Sequence, residues 1–361
     1  MKNYAGKIAF ITGGASGAGL GQAKLFGGLG VKVTIVDIRQ EAIDKALDEL
    51  KSLGIDAIGI KMDLTNREEY IAAADKAEKH WGGPPHLLFN TAGVNTFGPA
   101  EASTFEDYDW VLGVNLHGVI NGFVIFVPRM IKAYGGKDGV AKEEAHICVV
   151  SSMGAFDGYS TDAPYSVSKA AVNNLAYSYY DALKPYGIGV TVQCPANINS
   201  NIGEAIKTRP EHLKNSGYHT SEGTINMLKS IHATGIDPVR LAEAMKFAID
   251  NGMPMCIPAY GGDGALTNPL GENTFKKFIQ WTSVEGMAQL KKDAEEQAAR
   301  MADFRRQMEE QRKKWEEEHP GETYQAPASP FGGGAPADPN VPMETFGMAR
   351  ADLDWVNNHK Q

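Results

Sequence analysis

Lys7-Ile8-Ala9-Phe10-Ile11-Thr12 is followed without a break by Gly13-Gly14-Ala15-Ser16-Gly17-Ala18-Gly19-Leu20-Gly21. The first run predicts a short buried strand, and the second predicts a tight turn that opens into a helix reaching about Leu29. In this context backbone N–H groups and a helix N-terminus can hold a pyrophosphate, and glycines are needed where a Cβ would block the phosphates. A plain loop is the alternative, but the position directly after a strand favours phosphate binding. The candidate residues are Gly13, Ser16, Gly17, Ala18 and Gly19.

A second strand, Val31–Val36, ends in Asp37, which lies about 20 residues beyond the glycine-rich turn. A carboxylate at this distance can accept hydrogen bonds from the adenosine ribose hydroxyls and repel a 2′-phosphate. An aspartate at a strand end can also simply cap the next helix. Together with the glycine-rich turn, Asp37 favours NAD over NADP as the cofactor, while the neighbouring Arg39 could tolerate the extra phosphate of NADP.

Strand-like and helix-like patterns alternate along residues 1–265. Continuous apolar strands separated by helices predict a Rossmann-type α/β fold, with a doubly wound parallel sheet and right-handed crossovers. Further strands are expected at Ala57–Met62, Leu87–Phe89, Ile147–Val150, Gly189–Cys194 and Met255–Pro258. Helices are expected at about Gln40–Leu53, Arg67–Trp81, Tyr108–Met130, Pro164 to the residue before Pro185, and Val239–Asn251.

Polar residues interrupt this pattern at two informative places. Asp63 and Leu64 follow the third strand, where Asp63 can meet the amino group of an adenine. Asn115 is an amide within the apolar stretch Trp110–Leu116, and a buried amide needs hydrogen-bond partners such as water or the main chain. From this stretch alone, Asn115 is equally a residue that kinks the helix and a catalytic residue.

The strand Ile147–Val150 ends in Ser151 and Ser152, and the helix that follows carries Tyr165 and Lys169 four residues apart. Such a spacing puts both side chains on one helix face. A tyrosine pKa of about 10 is too high for a base at neutral pH, and a lysine cation beside the phenol would lower it. Ser152 can hydrogen-bond a substrate oxygen whose charge changes during reaction. The pair alone is typical of a solvated face, but with the phosphate loop it predicts a proton-transfer site for a hydroxyl or carbonyl.

Composition limits the classes of function. The 361 residues carry a net charge of -9 with no basic cluster, which argues against a nucleic-acid partner, and the 43% of hydrophobic residues can form a large core. The three cysteines lack metal-binding spacing and are expected in the core of a protein in a reducing compartment. With no signal peptide and no apolar run of membrane-spanning length, the expectation is a cytoplasmic protein without a metal site and without membrane attachment.

The second half of the chain contains three further features. Residues 203–235 are mixed polar and short-helical after a strand end, which suggests a substrate lid. Residues 266–319 form a predicted helical extension, whose helix spans 272–318 and packs on its own domain or a neighbouring subunit; two glutamines in its apolar stripe disfavour a long coiled coil. Residues 320–361 are a Pro/Gly-rich tail, extended or disordered, with a short docking helix at Phe346–Val356. The apolar stripe comprises Met287, Leu290, Ala294, Met301, Phe304, Met308 and Trp315.

Several of these motifs together resemble the short-chain dehydrogenases/reductases. Those that do so, in the same order, are Thr12-Gly13-x-x-x-Gly17-x-Gly19, Asn90-Thr91-Ala92-Gly93, Asn115, Ser152, Tyr165-x-x-x-Lys169 and Pro195-Ala196-Asn197-Ile198. The family's serine lies 13 residues before its tyrosine, which selects Ser152 because 165 − 152 = 13. Thr91 replaces an asparagine of the family, and Ala196 replaces a glycine. The resemblance covers about residues 5 to 260.

The resemblance implies roles for these positions. Asn115, Ser152, Tyr165 and Lys169 correspond to the family's catalytic residues, and at the position of Asn115 a water bound to the main chain relays protons to the lysine. In the family, the position of Ile198 binds the nicotinamide amide. The implied cofactor is NAD, with Asn90, Ala92, Gly93, Tyr165, Lys169, Pro195 and Ile198 joining the earlier candidates. Family members are usually dimers or tetramers, so a homodimer or homotetramer is expected.

A finer resemblance concerns three longer segments. Asn90–Asn95, Gly113–Gly122 and Pro195–Ile202 are similar to those of the Cα-dehydrogenases of lignin β-aryl ether catabolism, which oxidise a benzylic secondary alcohol to an aryl ketone with NAD. The implied partner is a bulky aromatic alcohol or ketone. Candidate substrate-pocket residues, each of which could equally be loop packing, are Val94, Asn95, Ser152, Met153, Phe156, Tyr159 and Asn197. The alternatives are a reductase of a steroid, sugar or acyl-thioester carbonyl, and an NAD(H)-binding scaffold without turnover.

Overall fold

The computed structural model describes residues 1–214, 216–258 and 284–319. Within them, seven strands form one sheet: β1 (Ile8–Thr12), β2 (Lys32–Asp37), β3 (Ala57–Lys61), β4 (Leu87–Asn90), β5 (His146–Val150), β6 (Gly189–Gln193) and β7 (Met255–Cys256). Their order across the sheet is β3-β2-β1-β4-β5-β6-β7, and every neighbouring pair is parallel. The predicted doubly wound parallel sheet is confirmed. Because all strands run in one direction, the segments that follow β1, β2, β4, β5 and β6 meet at one edge of the sheet.

The helices occur where the alternation predicts them. They are α1 (Gly17–Gly28), α2 (Gln40–Ser52), α3 (Arg67–Trp81), α4 (Phe105–Leu112), α5 (Gly118–Tyr134), α6 (Ala163–Leu183), α7 (Glu222–Ala233) and α8 (Pro238–Asp250). Before α7, the 3-10 segment Asn201–Thr208 runs into the predicted lid 203–235, and a second one, Glu211–Leu213, lies within it.

The helix expected at Tyr108–Met130 is longer and is interrupted by one π-helical turn. This turn, Gly113–His117, joins α4 to α5 and contains Asn115, whose side chain is fully buried. α4 begins with a capping box, in which the Thr104 hydroxyl accepts a hydrogen bond from the Asp107 N–H and the Asp107 carboxylate accepts one from the Thr104 N–H. A π turn inserts an extra residue into the helical ladder and frequently occurs at functional sites.

The core lies on both faces of the sheet, as the continuous apolar strands require. Phe10 on β1 packs against Phe126 of α5, with ring centroids 4.8 Å apart, while its neighbour Ile11 points to the opposite face with Phe26 of α1. Burying one such side chain contributes about 2 to 3 kcal/mol. The cysteines, at positions 148, 194 and 256, are buried free thiols, in agreement with the prediction of core residues.

One helical run, Phe105–Tyr134, is long and apolar enough to cross a membrane by length and composition, with a mean hydropathy of 1.7 over its apolar window. The expectation that no apolar run reaches this length is therefore wrong. More than half of that window, 56%, is buried inside the protein, because α5 packs against the sheet. A mostly buried core helix passes the same test, so the run is weak evidence for membrane insertion.

The helical extension contains α9 (Val284–Glu318) among the described residues. Ion pairs link its successive turns, including Lys292 with Glu296 and Lys313 with Glu309, and the Trp315 and His319 rings stack at 4.6 Å. In the predicted apolar stripe, Phe304, Met308 and Trp315 are partly exposed. The predicted helix start at 272, the tail 320–361 and the docking helix at 346–356 lie outside the described residues.

Candidate active site

The glycine-rich turn leaves no room for a Cβ at two of its glycines, Gly13 and Gly19. Gly13 has a φ of +65°, and a Cβ there would lie 2.8 Å from the Cα of Ala92. At Gly19 a Cβ would lie 2.3 Å from the carbonyl oxygen of Gly13. Within the described residues the Ser16 hydroxyl caps none of the N–H groups of α1, and the first helical turn holds no acidic residue. This helix N-terminus therefore keeps donors suited to an anion.

Gly17 brings a second segment to the same turn. Its φ is +49°, and a Cβ there would lie 3.0 Å from the Cβ of Ser200, which follows β6. Ser200 is thus a neighbour of the phosphate-binding candidates that the sequence analysis did not assign to the cofactor site. Its place two residues after Ile198, in a segment already singled out, could have revealed it.

Asp37 is buried at the end of β2 and forms a two-pronged ion pair with Arg39. Its Oδ1 accepts hydrogen bonds from the Arg39 N–H and Nε at 3.1 and 3.0 Å, and its Oδ2 accepts one from Nη2 at 3.2 Å. Nη2 also donates to the Ser16 hydroxyl at 3.1 Å. The Asp37 carboxylate raises the pKa of the Arg39 guanidinium. Asp37, the carboxylate expected to meet the ribose, is therefore already paired with Arg39, the cation that could accommodate a 2′-phosphate.

Asp63 and Leu64 are engaged locally after β3. The Asp63 carboxylate accepts hydrogen bonds from the Thr65 N–H at 2.9 Å and the Thr65 hydroxyl at 2.7 Å, which closes a tight turn before α3. The Leu64 carbonyl accepts a hydrogen bond from the Asn121 amide at 3.0 Å. Both residues lie at the expected sheet edge.

The segment after β4 is held by hydroxyl groups. The Thr12 hydroxyl accepts hydrogen bonds from the N–H groups of Thr91 and Ala92 at 3.0 and 3.3 Å, and the Thr91 hydroxyl donates to Gln22 of α1 at 2.6 Å. Thr91, which departs from the family pattern, thus connects this segment to α1. The Asn90 side chain is buried against α5, where a Cβ on Gly122 would lie 2.3 Å from its Oδ1.

Tyr165 and Ser152 meet at the ends of α6 and β5. A Cβ on Gly154 would lie 3.5 Å from the Ser152 Oγ and 3.6 Å from the Tyr165 Cε1, and the Ser152 hydroxyl accepts a hydrogen bond from the Gly154 N–H at 3.1 Å. Ser151 is used differently, because its hydroxyl donates to the Lys169 carbonyl at 3.2 Å inside the core. The geometry thus puts Ser152, and not Ser151, beside the phenol.

Lys169 lies beneath the same tyrosine. Its Nζ donates to the Val150 carbonyl at 2.9 Å and lies 5.5 Å from the centre of the Tyr165 ring. Burial lowers the pKa of Lys169 to about 8. Burial also raises the pKa of Tyr165 to about 12, although the Ser152 side chain beside it acts to lower that pKa. This direction differs from the expected lowering, because removal of the phenolate from water outweighs the groups that the protein itself supplies.

Asn115 joins this group through the loop after β4. Its Oδ1 accepts a hydrogen bond from the Val94 N–H at 2.8 Å, and its Nδ2 donates to the Val94 carbonyl at 2.9 Å and to the Ser168 hydroxyl at 3.0 Å. A Cβ on Gly93 would lie 3.4 Å from the Lys169 Nζ and 3.5 Å from the Asn115 Oδ1. The amide therefore lies close to Lys169 and fixes the backbone of the adjacent loop.

The candidate substrate residues fall into three environments. Val94 belongs to an apolar cluster that includes Trp110, Ala205 and Ile206 and reaches Tyr165. Met153 and Phe156 pack against the main core instead, and Tyr159 is 49% exposed. Trp110 and Ile206 were not singled out from the sequence, because each reads as an ordinary apolar position of a helix or lid.

Asn197 connects the loop after β6 to the lid. Its Nδ2 donates to the Ile231 carbonyl at 2.8 Å, and its Oδ1 lies 2.7 Å from the His232 Nδ1. Burial lowers the pKa of His232. The side chain of Asn197 is thus committed to α7, while its backbone carbonyl accepts a hydrogen bond from the Ile236 N–H and the Asn199 N–H donates to the Ile236 carbonyl.

A buried ion pair attaches the lid to α4. Arg209 and Asp107 are 2% and 0% exposed in their side chains, and Nη1 lies 2.7 Å from Oδ1. The same carboxylate accepts hydrogen bonds from the Tyr218 N–H, at 3.1 and 3.0 Å to its two oxygens, and the guanidinium lies 5.3 Å from the Trp110 ring centre. One aspartate therefore holds both ends of the segment 209–218.

Comparison with known proteins defines the class to which this site belongs. A family profile described as short chain dehydrogenase matches residues 7–211. The chain belongs to the short-chain dehydrogenase family.

Individual relatives give a finer comparison than the family profile. The chain is 51% identical to the C alpha-dehydrogenase of Sphingobium sp. (strain NBRC 103272 / SYK-6) over 258 residues, which are 72% of this chain and 82% of the relative. The crystal structure of LigD in its apo form, from Sphingobium sp. strain SYK-6, matches with 42% identity and a TM-score of 0.60 over 77% of this chain and 97% of that one. A short chain dehydrogenase/reductase from Burkholderia phymatum in complex with NAD matches with 30% identity and a TM-score of 0.65, over 71% and 90%.

Proposed function

We propose that the protein is an NAD-dependent dehydrogenase that interconverts a benzylic secondary alcohol and the corresponding aryl ketone. The observation that carries the proposal is the 51% identity to a C alpha-dehydrogenase across the region that contains Asn115, Ser152, Tyr165 and Lys169. These four side chains lie at one edge of the sheet, and those of Ser152 and Tyr165 both come close to Gly154.

The residues at the glycine-rich turn fit a dinucleotide. The N-terminus of α1 has uncapped N–H donors for a pyrophosphate, and the turn leaves no room for a Cβ at Gly13 or Gly19. Asp37 is buried at the end of β2, where its carboxylate can accept hydrogen bonds from ribose hydroxyls. Pairing with Arg39 keeps this carboxylate in place and favours NAD over NADP.

The chain's own groups can transfer the proton. NAD, when bound, accepts the hydride from the carbinol carbon and brings a positive charge on its nicotinamide ring. Tyr165 takes the hydroxyl proton of the alcohol, and Ser152 holds the same oxygen through a hydrogen bond. The Lys169 ammonium favours the phenolate, and Asn115 supports the proton path to solvent by fixing the loop beside Lys169.

Apolar residues beside Tyr165 support an aromatic substrate. Val94, Trp110 and Ile206 belong to one cluster, which combines an aromatic face with branched aliphatic side chains. In its described part, the lid segment 203–235 contributes three members, Ala205, Ile206 and Leu213, so its position sets part of this wall. We propose that this cluster binds the aryl ring.

A panel of alcohols tests the proposal. Purified protein is mixed with NAD or NADP and with benzylic, aliphatic, steroid and sugar secondary alcohols, and the absorbance of the reduced nicotinamide is followed. Fast turnover of benzylic alcohols with NAD, and little with NADP, is expected. Turnover confined to the aliphatic, steroid or sugar alcohols would support the alcohol dehydrogenase reaction and reject the aryl substrate. Tight NADH binding without turnover in either direction would favour the scaffold alternative.

We further propose that residues 1–265 form the catalytic domain, with 203–235 as its lid and 266–319 and 320–361 as appended segments. The assembly is a cytoplasmic homodimer or homotetramer without a nucleic-acid partner or membrane attachment. Sedimentation equilibrium of the full chain tests the subunit number. A monomer at micromolar concentration would reject the proposed homodimer or homotetramer.

A further inference from the structure

The loop after β6, residues 195–200, touches both ends of the candidate active site. At one end the Pro195 carbonyl accepts a hydrogen bond at 2.9 Å from the N–H of Met153, the residue after the candidate catalytic serine. At the other end a Cβ on Gly17 would lie 3.0 Å from the Cβ of Ser200, at the turn that fits a pyrophosphate. A dinucleotide bound between this turn and the proton-transfer site would therefore lie beside the loop.

The segment that follows α7 holds the middle of this loop. The Asn197 carbonyl accepts a hydrogen bond from the Ile236 N–H at 2.9 Å, and the Asn199 N–H donates to the Ile236 carbonyl at 3.0 Å. Gly235 packs directly on the loop backbone, because a Cβ there would lie 2.4 Å from the carbonyl carbon of Ile198. The lid and the loop after β6 are thus joined through their main chains.

The side chain of His232, in the last turn of α7, contacts three segments. Its Nδ1 lies 2.7 Å from the Asn197 Oδ1, and its ring centre lies 5.9 Å from that of Phe97 in the loop after β4. A Cβ on Gly203 would lie 3.3 Å from its Cδ2. Phe97 is itself fixed, because its N–H donates to the buried Asn95 side chain at 3.2 Å. His232 therefore connects the lid to the loops after β4 and β6.

The direction of the hydrogen bond between His232 and Asn197 follows from its surroundings. The Asn197 Nδ2 donates to the Ile231 carbonyl at 2.8 Å, so the amide oxygen is the atom that faces His232. Burial lowers the pKa of His232, so at neutral pH the ring is neutral and carries a single N–H. An amide oxygen can only accept, which puts this hydrogen on Nδ1.

We propose that His232 is a positioning residue for the cofactor, which through Asn197 fixes the loop 195–200 where this loop borders the dinucleotide. The inference rests on the proposed function, because that function supplies NAD as the bound group. His232 acts through Asn197 and makes no contact with the reacting atoms in this role. The lid then contributes to NAD binding as well as to the wall of the aryl site.

Two substitutions separate the hydrogen bond of His232 from the packing of its ring. His232→Asn puts an amide nitrogen close to the position of Nδ1, so we expect the Kd for NADH in a fluorescence titration to stay within about threefold of wild type. His232→Phe keeps a ring against Phe97 but removes the donor. We expect the Kd to rise about tenfold, the effect of leaving an acceptor inside the protein without its partner.

Steady-state constants separate a positioning role from a loss of folded protein. In His232→Phe, KM for NAD should rise by the same factor as the Kd, while kcat at saturating NAD changes by less than about threefold. A fraction of unfolded protein would instead lower kcat and leave KM unchanged. If His232→Phe does not fold, His232→Leu removes the same donor with a smaller side chain and should give the same result.

A matched control lies elsewhere in the lid. His212 is exposed, so His212→Phe should leave both the Kd for NADH and KM for NAD unchanged. Wild-type affinity in the variants of His232 that lack the donor would overturn the inference. Equal losses in His232→Asn and His232→Phe would also overturn it, as would the same loss in His212→Phe.

The titration needs no alcohol, so its outcome is distinguishable from that of the proposed function. A wild type that binds NADH but oxidises no alcohol would reject the proposed function, and the His232 variants would still decide the positioning role. A wild type that does not bind NADH would reject both. In a crystal structure of His232→Phe, the backbone of residues 195–200 should depart from its wild-type position, and an unmoved loop would overturn the inference.

Discussion

The Asp107–Arg209 ion pair attaches the lid to α4, so we expect the stability and position of the lid to change when one carboxylate oxygen of Asp107 is replaced by an amide nitrogen. Asp107→Asn keeps the shape of the side chain and one oxygen acceptor, but it removes the charge opposite Arg209. Both groups are almost fully buried, with 0% and 2% of their side-chain surfaces exposed. Removing one partner of a buried pair leaves an uncompensated charge and costs about 3 to 5 kcal/mol. The remaining acceptor moderates this loss, so we expect about 3 kcal/mol.

Thermal unfolding and kinetics measure the effect together. A loss of about 3 kcal/mol corresponds to a fall in Tm of roughly 6 °C or more for a domain of this size. The segment 209–218 is fixed at both ends by Asp107, so KM for the alcohol should also rise, while NADH affinity should be retained. Asp109→Asn, an exposed position two residues along the same helix, is the matched control and should change neither quantity.

A double-mutant cycle decides whether the pair itself is responsible. Arg209→Met alone leaves the Asp107 charge buried, whereas Asp107→Asn with Arg209→Met removes both charges. We expect a coupling energy of at least about 2 kcal/mol between the two positions. Single variants whose Tm stays within about 1 °C of wild type, together with a coupling below about 0.5 kcal/mol, would refute the reasoning.

Three further outcomes follow from the cofactor loop and the buried lysine. Asp37→Ser frees Arg39 from its carboxylate, so the kcat/KM ratio of NADP to NAD should rise at least about tenfold, the effect of one charged contact, in steady-state assays. Gly19→Ala puts a Cβ 2.3 Å from a backbone carbonyl and should weaken NADH binding by about tenfold or more in a fluorescence titration, whereas Gly28→Ala, with open space on the same helix, should not. Because the pKa of Lys169 is lowered to about 8, the unfolded chain binds more protons than the folded protein above that pH. The Tm of the wild type should therefore rise between pH 8 and 10 relative to the Tm of Lys169→Met. Equal pH dependence of Tm in both proteins would contradict this prediction.

The elements that could be predicted are those fixed by local patterns. The apolar strand Ile8–Thr12, the glycine-rich turn after it and the alternation of strands and helices that follows predict a Rossmann-type sheet from patterns that are local in the chain. The spacing of Ser152, Tyr165 and Lys169 also follows from one short segment, and the structure brings these side chains together. Local sequence is sufficient where neighbours in the chain are neighbours in space.

Contacts between distant segments could not be predicted in the same way. In the structure Asp107 forms a capping box with Thr104, which is close in the chain, but its ion-pair partner Arg209 lies 102 residues further along. Asn115 is equally a kink residue and a catalytic residue in the sequence, and neither description predicts its two hydrogen bonds to the backbone of Val94, 21 residues earlier in the chain. The direction of a side chain at such positions depends on which loop packs beside it.

The expected lowering of the Tyr165 pKa illustrates a different limit. Sequence spacing puts a lysine beside the phenol, but it gives no measure of how much water the fold removes from the phenolate. In the structure desolvation is the larger effect, and the pKa of Tyr165 is raised to about 12. The extent of burial, and not the identity of the neighbouring groups, therefore determines whether the pKa of Tyr165 is raised or lowered.

The role of Tyr165 is the central claim, and the measurement that tests it most directly is single-turnover NAD reduction by Tyr165→Phe with the best benzylic alcohol. We expect the rate to fall by about 10²- to 10⁴-fold, the contribution of a positioned acid–base group, while NADH binds as tightly as to the wild type. Wild-type rates in this variant would contradict the assignment of the proton-transfer site.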